Sequence, residues 1–578
     1  MIKKLSLEDF KAFGKEQQIP IKPLTLIYGA NSSGKSSILQ SLLLQGQSIS
    51  DKKKYATELI TEGDYVKLGT FNNLINNHNE LNSSFVLSVT LAEPIELFRE
   101  ILNEEIHSTY KLHYKSSKDG SAHLAQIDFC LSCDNEYLIR YKCENDFNYF
   151  EISDINNSKI IEHDIHTLLS VVDASDCPSD QKEIILSALN NNFAQELRYI
   201  FSCSDYRLKF ERFYGTKYAD DLKFYGSSLK MYLSGKRVLQ RQNLLSHIGE
   251  KAKINFAYSF PKESDVIKYD DTLDKALFRL TKNPSPLAKK LLEETKQEWQ
   301  SYLSGTQLGK EVRSMEEIRK WEKSEHKILS LHINEIALQG LLKLFIFENK
   351  MEYIGPLRSF PKRYFIDDKA LPSKEKSDIY GDSVAKTLHS NKGVLTAANE
   401  WFVKLHIPYS IDVSCTEAEG LNIYTIKLIN KKNVEIRPSD VGFGISQILP
   451  VIVNALLHSE KLILIEQPEI HLHPRLQTEL GDLLIYSAKC NNNTILAETH
   501  SEHLLLRIMK RMRQTANGEI KEISPDLALT PDDIAIVYVH SDGDGSDSIV
   551  YELELSEDGR LLDPWPGGFF EEGFRERF

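Results

Sequence analysis

Two runs of residues have types and spacing specific enough to imply chemistry. Gly29–Ser37 reads GANSSGKSS, a pair of glycines four residues apart followed at once by Lys35 and Ser36. Glycines at those places let the backbone curl so that successive N–H groups point inward, and the start of a following helix completes an anion cradle. Asn31, Ser32, Ser33, Gly34 and Ser37 belong to that cradle. Lys35 would meet the terminal phosphates of a nucleoside triphosphate, and the Ser36 hydroxyl would bind Mg²⁺. The second run, Glu466-Gln467-Pro468-Glu469, lies far downstream, and His500 follows it. A carboxylate at a strand end, here Glu466, suits Mg²⁺. His500 could reach the terminal phosphate. ATP with Mg²⁺ is the expected ligand.

Elements of defined type must position these residues. The apolar stretch from Pro23 to Tyr28 reads as a short strand and Ile38 to Leu44 as an apolar helix, a strand–loop–helix context that a chance glycine-rich turn lacks. Lys461 to Ile465 suits a buried parallel strand, and Thr494 to Ala497 a further short one that ends in Glu498-Thr499-His500-Ser501. Upstream, Ser439 to Gln447 precedes an apolar helix expected over Ile448 to Leu457. Gly442 and Gly444, with Ser446 and Gln447, would expose N–H groups as a second anion-binding terminus.

The order of these motifs resembles that of ABC-type ATPases related to structural-maintenance-of-chromosomes (SMC) and RecF proteins. More narrowly it is similar to the bacterial AAA-family ATPases that include the OLD family and the Septu defence ATPase. The narrow likeness is carried by Tyr353–Arg358 (YIGPLR), Glu466–Pro474 (EQPEIHLHP), Glu498–Ser501 (ETHS) and Trp565–Phe570 (WPGGFF), and it spans residues 1–75 and 345–578. The last run marks a subfamily that ends in a small domain of unknown function. The resemblance implies an α/β fold, an ABC-type P-loop ATPase core split by a long insertion. That gives an N-terminal part at 1–79, an insertion at 80–345 (antiparallel β, then mainly helical), a C-terminal part at 346–510 and a β-rich domain at 511–578. It also implies that Gly442, Gly444, Ser446 and Gln447 form a signature facing the γ-phosphate of a second subunit, with His500 as the switch residue. The chain departs from the pattern twice. The signature lacks Leu-Ser-Gly-Gly-Gln, and Glu466-Gln467 stands where Asp-Glu is usual. Glutamine cannot accept a proton from water, so turnover should be slow unless Glu469 or His500 takes over.

The remaining sequence gives broader expectations. Ser84–Leu91, Tyr110–Tyr114, Ala125–Ser132 and Tyr137–Lys142 alternate with period two and read as antiparallel strands, whereas the pattern from about 160 to 350 turns helical. Cys130 and Cys133 form a CxxC without a second pair, better suited to strand packing than to zinc. Lys223 to Arg241 mixes basic and aromatic residues, which fits either nucleic-acid contact or a solvated helix face. Arg358 and Arg363 suit a turn, a phosphate or a neighbouring subunit. Ile534–Val539 and Ser548–Leu555 read as a hairpin, and the aromatic tail should dock on the core or on a partner.

With 578 residues, seven cysteines and a net charge of −13, the chain is expected to be reduced and cytoplasmic, with no membrane span. The expected activity is an ATP-gated dimer or larger oligomer controlling a separately encoded effector such as a nuclease, in bacterial anti-phage defence. A stand-alone OLD-like ATPase-nuclease and a RecF-like DNA-repair clamp are the alternatives.

Overall fold

The computed structural model describes residues 2–50, 58–78, 84–95, 105–116, 122–134, 136–143, 149–156, 207–209, 350–356, 364–368, 384–418, 421–542 and 547–566, with isolated residues including 336–337, 340–341, 343–344, 358 and 570. The basic–aromatic stretch 223–241, Arg363 and the helical runs around 288–296 and 315–321 lie outside them.

In chain order the strands are β1 (Ile2–Glu8), β2 (Gln17–Pro20), β3 (Leu24–Gly29), β4 (Glu58–Leu59), β5 (Ser84–Pro94), β6 (His107–Ser116), β7 (Ala122–Leu131), β8 (Tyr137–Cys143), β9 (Tyr149–Ile155) and β10 (Arg207–Lys209). They continue with β11 (Met351–Ile354), β12 (Phe365–Asp368), β13 (Tyr409–Ala418), β14 (Leu421–Asn430), β15 (Glu435–Ile436), β16 (Leu462–Glu466), β17 (Thr494–Glu498), β18 (Ile534–Ser541) and β19 (Ser548–Leu553). The helices that matter here are α1 (Lys35–Ser50), α2 (Val384–Ser390), α3 (Lys392–Lys404), α4 (Phe443–Leu457), α5 (Pro474–Cys490) and α6 (Glu502–Ala516).

One sheet runs β10-β9-β8-β7-β6-β5-β1-β2, antiparallel throughout, with β4 beside β7. The second runs β11-β16-β17-β3-β18-β19, parallel except for the last pair. A small antiparallel sheet joins β12, β14, β13 and β15. Every residue of β3 is buried, as a parallel strand covered on both faces must be. Its side chains alternate, Ile27 toward one core and Leu24, Leu26 and Tyr28 toward the other.

α1 lies between the two large sheets. Ile38, Leu39, Leu42 and Leu43 share one core with Leu5, Phe85 and Tyr110 of the antiparallel sheet and with Leu464, Leu496 and Val537 of the parallel one. Each such side chain contributes about 1.5–3 kcal/mol by leaving water. Buried polar residues on α1 find partners: Tyr114 donates to Gln45, and Gln47 bridges the Ile60 carbonyl and the Val66 N–H. The opposite face of the parallel sheet is covered by α4, α5 and α6 through Ile448, Ile452, Leu480, Leu484, Leu504 and Ile508.

Strand pairing crosses the expected boundaries at 79/80 and 510/511. β5 pairs with β1, so the strand-rich segment extends the sheet that the N-terminus begins, and β18 pairs with β3 inside the central parallel sheet. Arg207–Lys209, within a stretch that reads as helical, is extended because it adds to the sheet edge beside β9. α4 starts at Phe443 with Gly442 as its cap, earlier than the apolar run alone suggested. The expected hairpin forms as β18 and β19, and the aromatic tail docks on the core. Trp565 packs edge-on against Tyr28 and Tyr538 at ring-centroid distances of 5.6 and 5.8 Å, and Phe570 against Tyr28 at 5.7 Å. Trp565→Ala should therefore cost about 2–4 kcal/mol in chemical denaturation. An unchanged midpoint would detach the tail from the core.

Candidate functional site

The loop after β3 and the start of α1 form one wall of a cleft of about 480 Å³. Asn31, Ser32, Ser33, Gly34, Lys35, Ser36 and Ser37 all line it, so the loop residues come together at one cleft. Gly29 and Gly34 have φ of +151° and +94°, and a Cβ would come within 2.3 Å of the Val539 carbonyl and 2.6 Å of the Ala12 Cβ respectively. Only glycine fits both the conformation and the space. Lys35 is buried and donates to the Gly29 and Ala30 carbonyls at 3.0 and 2.6 Å. Burial pulls its ammonium below the usual lysine range, with Glu498 and Glu469 opposing that shift.

The opposite wall comes from the ends of β16 and β17. Glu466 and Glu498 are register partners in these neighbouring parallel strands. Glu498 lines the cleft and accepts a hydrogen bond from the Ser36 hydroxyl at 2.7 Å. Glu466 does not line it; it accepts from the Tyr353 hydroxyl at 2.8 Å. Burial raises both carboxyls, and Glu466, further repelled by Glu498, reaches about 7. Of the two residues expected at a metal, Ser36 lines the cleft with Glu498 as its carboxylate partner, and Glu466 stands outside the lining.

The three candidates for handling water separate in the same way. Gln467, held at φ +46° by its N–H to the Glu498 carbonyl (2.8 Å), lines the cleft. His500 also lines it, and burial with nearby Lys35 depresses its imidazole, leaving it neutral near pH 7. Glu469 does not: its Oε1 accepts the His500 N–H at 2.7 Å, so it holds the backbone there. Arg358, buried, donates to the Gln447 carbonyl (3.3 Å) and the Glu466 and Gln467 carbonyls (3.1 and 3.3 Å). It is a strut between the start of α4 and the end of β16, and burial lowers it to about 10. Gly442, Gly444, Ser446 and Gln447 lie at the start of α4 and do not line this chain's own cleft.

Sequence reasoning missed Glu498, Lys11 and Gln40. Glu498 ends its strand as Glu466 does, a signal already present beside His500. Lys11 carries no local signal; the β1–β2 connection brings it to the cleft, where its ammonium donates to Gln40 Oε1 at 2.6 Å.

The set fits a nucleoside triphosphate with a divalent cation. Ser33 Oγ and His500 Nε2 are buried without a hydrogen-bond partner among the described residues, and both belong to cleft-lining residues. The raised carboxyl pair beside the Ser36 hydroxyl is an oxygen set of the kind that Mg²⁺ takes along with phosphates.

Comparison with known proteins agrees. Residues 1–505 match the AAA ATPase domain family, and residues 529–576 match a family described only as a protein of unknown function (DUF3696). No curated protein matches the chain. Among solved structures, the Smc head domain from Pyrococcus furiosus, bound to the C-terminal domain of ScpA, is 14% identical with a TM-score of 0.34 over 96% of each chain. The SMC head domain from Thermotoga maritima is 10% identical with a TM-score of 0.33 over 96% of this chain and 99% of that one. Likeness of that size does not bear on partners or mechanism. Lys35→Ala removes the buried cation of the cradle and should weaken binding of a fluorescent nucleotide at least ~10-fold. Equal affinity in equilibrium titration would refute this site.

Proposed function

The chain belongs to the AAA ATPase domain family, and on that premise we propose that it binds ATP with Mg²⁺ in this cleft and turns it over slowly between two copies of itself. The observation that carries this reading is the joint convergence of the Gly29–Ser37 loop, Glu498, Gln467 and His500 on one cleft. Backbone N–H groups of the loop and Lys35 hold the phosphates, Lys11 adds a cation at the cleft wall, and Ser33 and His500 donate to the terminal phosphate. Ser36 and Glu498 would hold Mg²⁺, which neutralises phosphate charge as the bond to the leaving group lengthens. Glu466, tethered by Tyr353, supports that site from behind.

Turnover is slow because the cleft presents Gln467 where a general base would stand. An amide positions water but takes no proton, and losing a positioned base costs about 10²–10⁴-fold. Glu469 does not compensate, since it stands off the cleft with Oε1 on the His500 N–H. Gln467→Glu should therefore raise single-turnover hydrolysis more than ~10-fold. Fast wild-type hydrolysis unaffected by that change would contradict the assignment.

The signature residues support the dimer. They sit at a helix start, where N–H groups favour an anion, yet away from their own cleft. ATP in one protomer then gives them a ligand in the other, and nucleotide drives closure. Gly442 offers a clean test, because a Cβ there meets nothing within 4 Å. Gly442→Asp should keep the fold yet block ATP-dependent cross-linking by placing a like charge near the γ-phosphate. Cross-linking at the wild-type level would overturn the closed-dimer reading. The resemblance of the motifs to Septu-type defence ATPases supports the last part of the proposal, a cytoplasmic regulator whose closure controls a separately encoded effector such as a nuclease.

A further inference from the structure

Lys11 reaches the cleft from a tight turn whose backbone is held in an unusual shape. Asp9 and Lys11 both have positive φ, +54° and +51°, in a segment closed by reciprocal Phe10–Phe13 backbone hydrogen bonds of 2.9 Å. Side chains other than glycine are strained there, and such strain persists only where surrounding contacts over-determine the conformation. Those contacts come from two distant parts of the chain. The 72–76 segment supplies the Leu74 carbonyl for the Lys11 N–H (2.7 Å), and Asn76 Nδ2 donates to the Lys11 carbonyl (2.9 Å). The C-terminal hairpin supplies Asp547, whose Oδ1 accepts the Gly14 N–H at 2.8 Å and the Ser548 N–H at 2.9 Å. A second tie is the Val550 N–H to Gln17 Oε1 at 2.9 Å. Gly14 is wedged in this joint: a Cβ would lie 3.0 Å from Asn76 Oδ1 and 3.3 Å from Asp547 Oδ2. The same turn touches the phosphate loop, since Ala12 occupies the space beside Gly34, with the Ser548 hydroxyl close by.

We propose that Asp547 is a positioning residue for nucleotide binding: by fixing Gly14 it holds the Lys11 turn over the cleft, which gives the 529–576 segment a part in the nucleotide site. The proposal rests on the reading that Lys11 meets the nucleotide. It couples the C-terminal hairpin to the cleft in both directions, so bound nucleotide also tightens the hairpin.

The test uses the full chain and a fluorescent ATP analogue in equilibrium titration. Asp547→Ala weakens binding about 3- to 10-fold. Asp547→Asn, which keeps the accepting oxygen, restores it. Lys11→Gly relieves the backbone strain, so it leaves thermal stability equal or higher while weakening binding, and Asp547→Ala adds nothing in the Lys11→Gly background. If Lys11→Gly binds normally, the Lys11 reading itself fails. If Lys11→Gly weakens binding while Asp547→Ala has no effect, or a fully additive one, the positioning role alone is overturned. Amide exchange in the wild-type protein reads the same coupling without a variant. Peptides covering 9–14 and 547–553 gain protection together when the analogue binds. Protection of the first without the second contradicts the proposal.

Discussion

The site depends on one strand pairing. β17 lies between β3 and β16 in parallel register, which sets Glu498 beside Glu466 and opposite Ser36. Burial raises both carboxyls, and repulsion from Glu498 adds to the rise of Glu466, to about 7. A divalent cation beside such a pair would relieve that cost. The same pairing carries the segment after β17: the Glu498 carbonyl fixes Gln467, and Glu469 fixes the His500 backbone. Shifting β17 by one residue would turn Glu498 to the other face of the sheet and dismantle both.

Around this pairing the molecule is an α/β protein of the AAA ATPase domain family. Its phosphate-loop helix α1 is gripped on two sides, by the antiparallel sheet and by the parallel sheet. Gly46 shows how tight the grip is, since a Cβ there would fall 2.2 Å from the Met351 methyl. Packing of that density transmits displacement with little loss. Arg358 extends the connection by tying the start of α4 to the end of β16. The aromatic tail closes the other side, with Trp565 and Phe570 against Tyr28, the residue just before Gly29, while the Tyr28 hydroxyl donates to the Ser501 carbonyl at 3.2 Å.

What the sequence made legible follows from how local each signal was. The Gly29–Ser37 loop and the strands on either side of the cleft were readable because glycine conformation, apolar runs and their ends are local properties. The loop residues Asn31 to Ser37, Gln467 and His500 come together at the cleft. The division of labour between Glu466 and Glu498 was not readable, because it follows from which strand lies between which. That Glu469 stands off the cleft with Oε1 on the His500 N–H was not readable for the same reason. Lys11 and Asp547 stand more than five hundred residues apart, and only the fold joins them at Gly14. The β5–β9 segment resembled an inserted domain until its pairing with β1 placed it in the N-terminal sheet.

The claim at the centre is that Ser36 and Glu498 hold the cation that accompanies ATP. Calorimetric titration of ATP in Mg²⁺ and in a chelator, for the wild-type chain and for Glu498→Gln and Glu466→Gln, tests it directly. The account predicts that Mg²⁺ tightens ATP binding in the wild type, that Glu498→Gln loses most of this gain, and that Glu466→Gln keeps most of it. A gain that survives in Glu498→Gln and disappears in Glu466→Gln would contradict it.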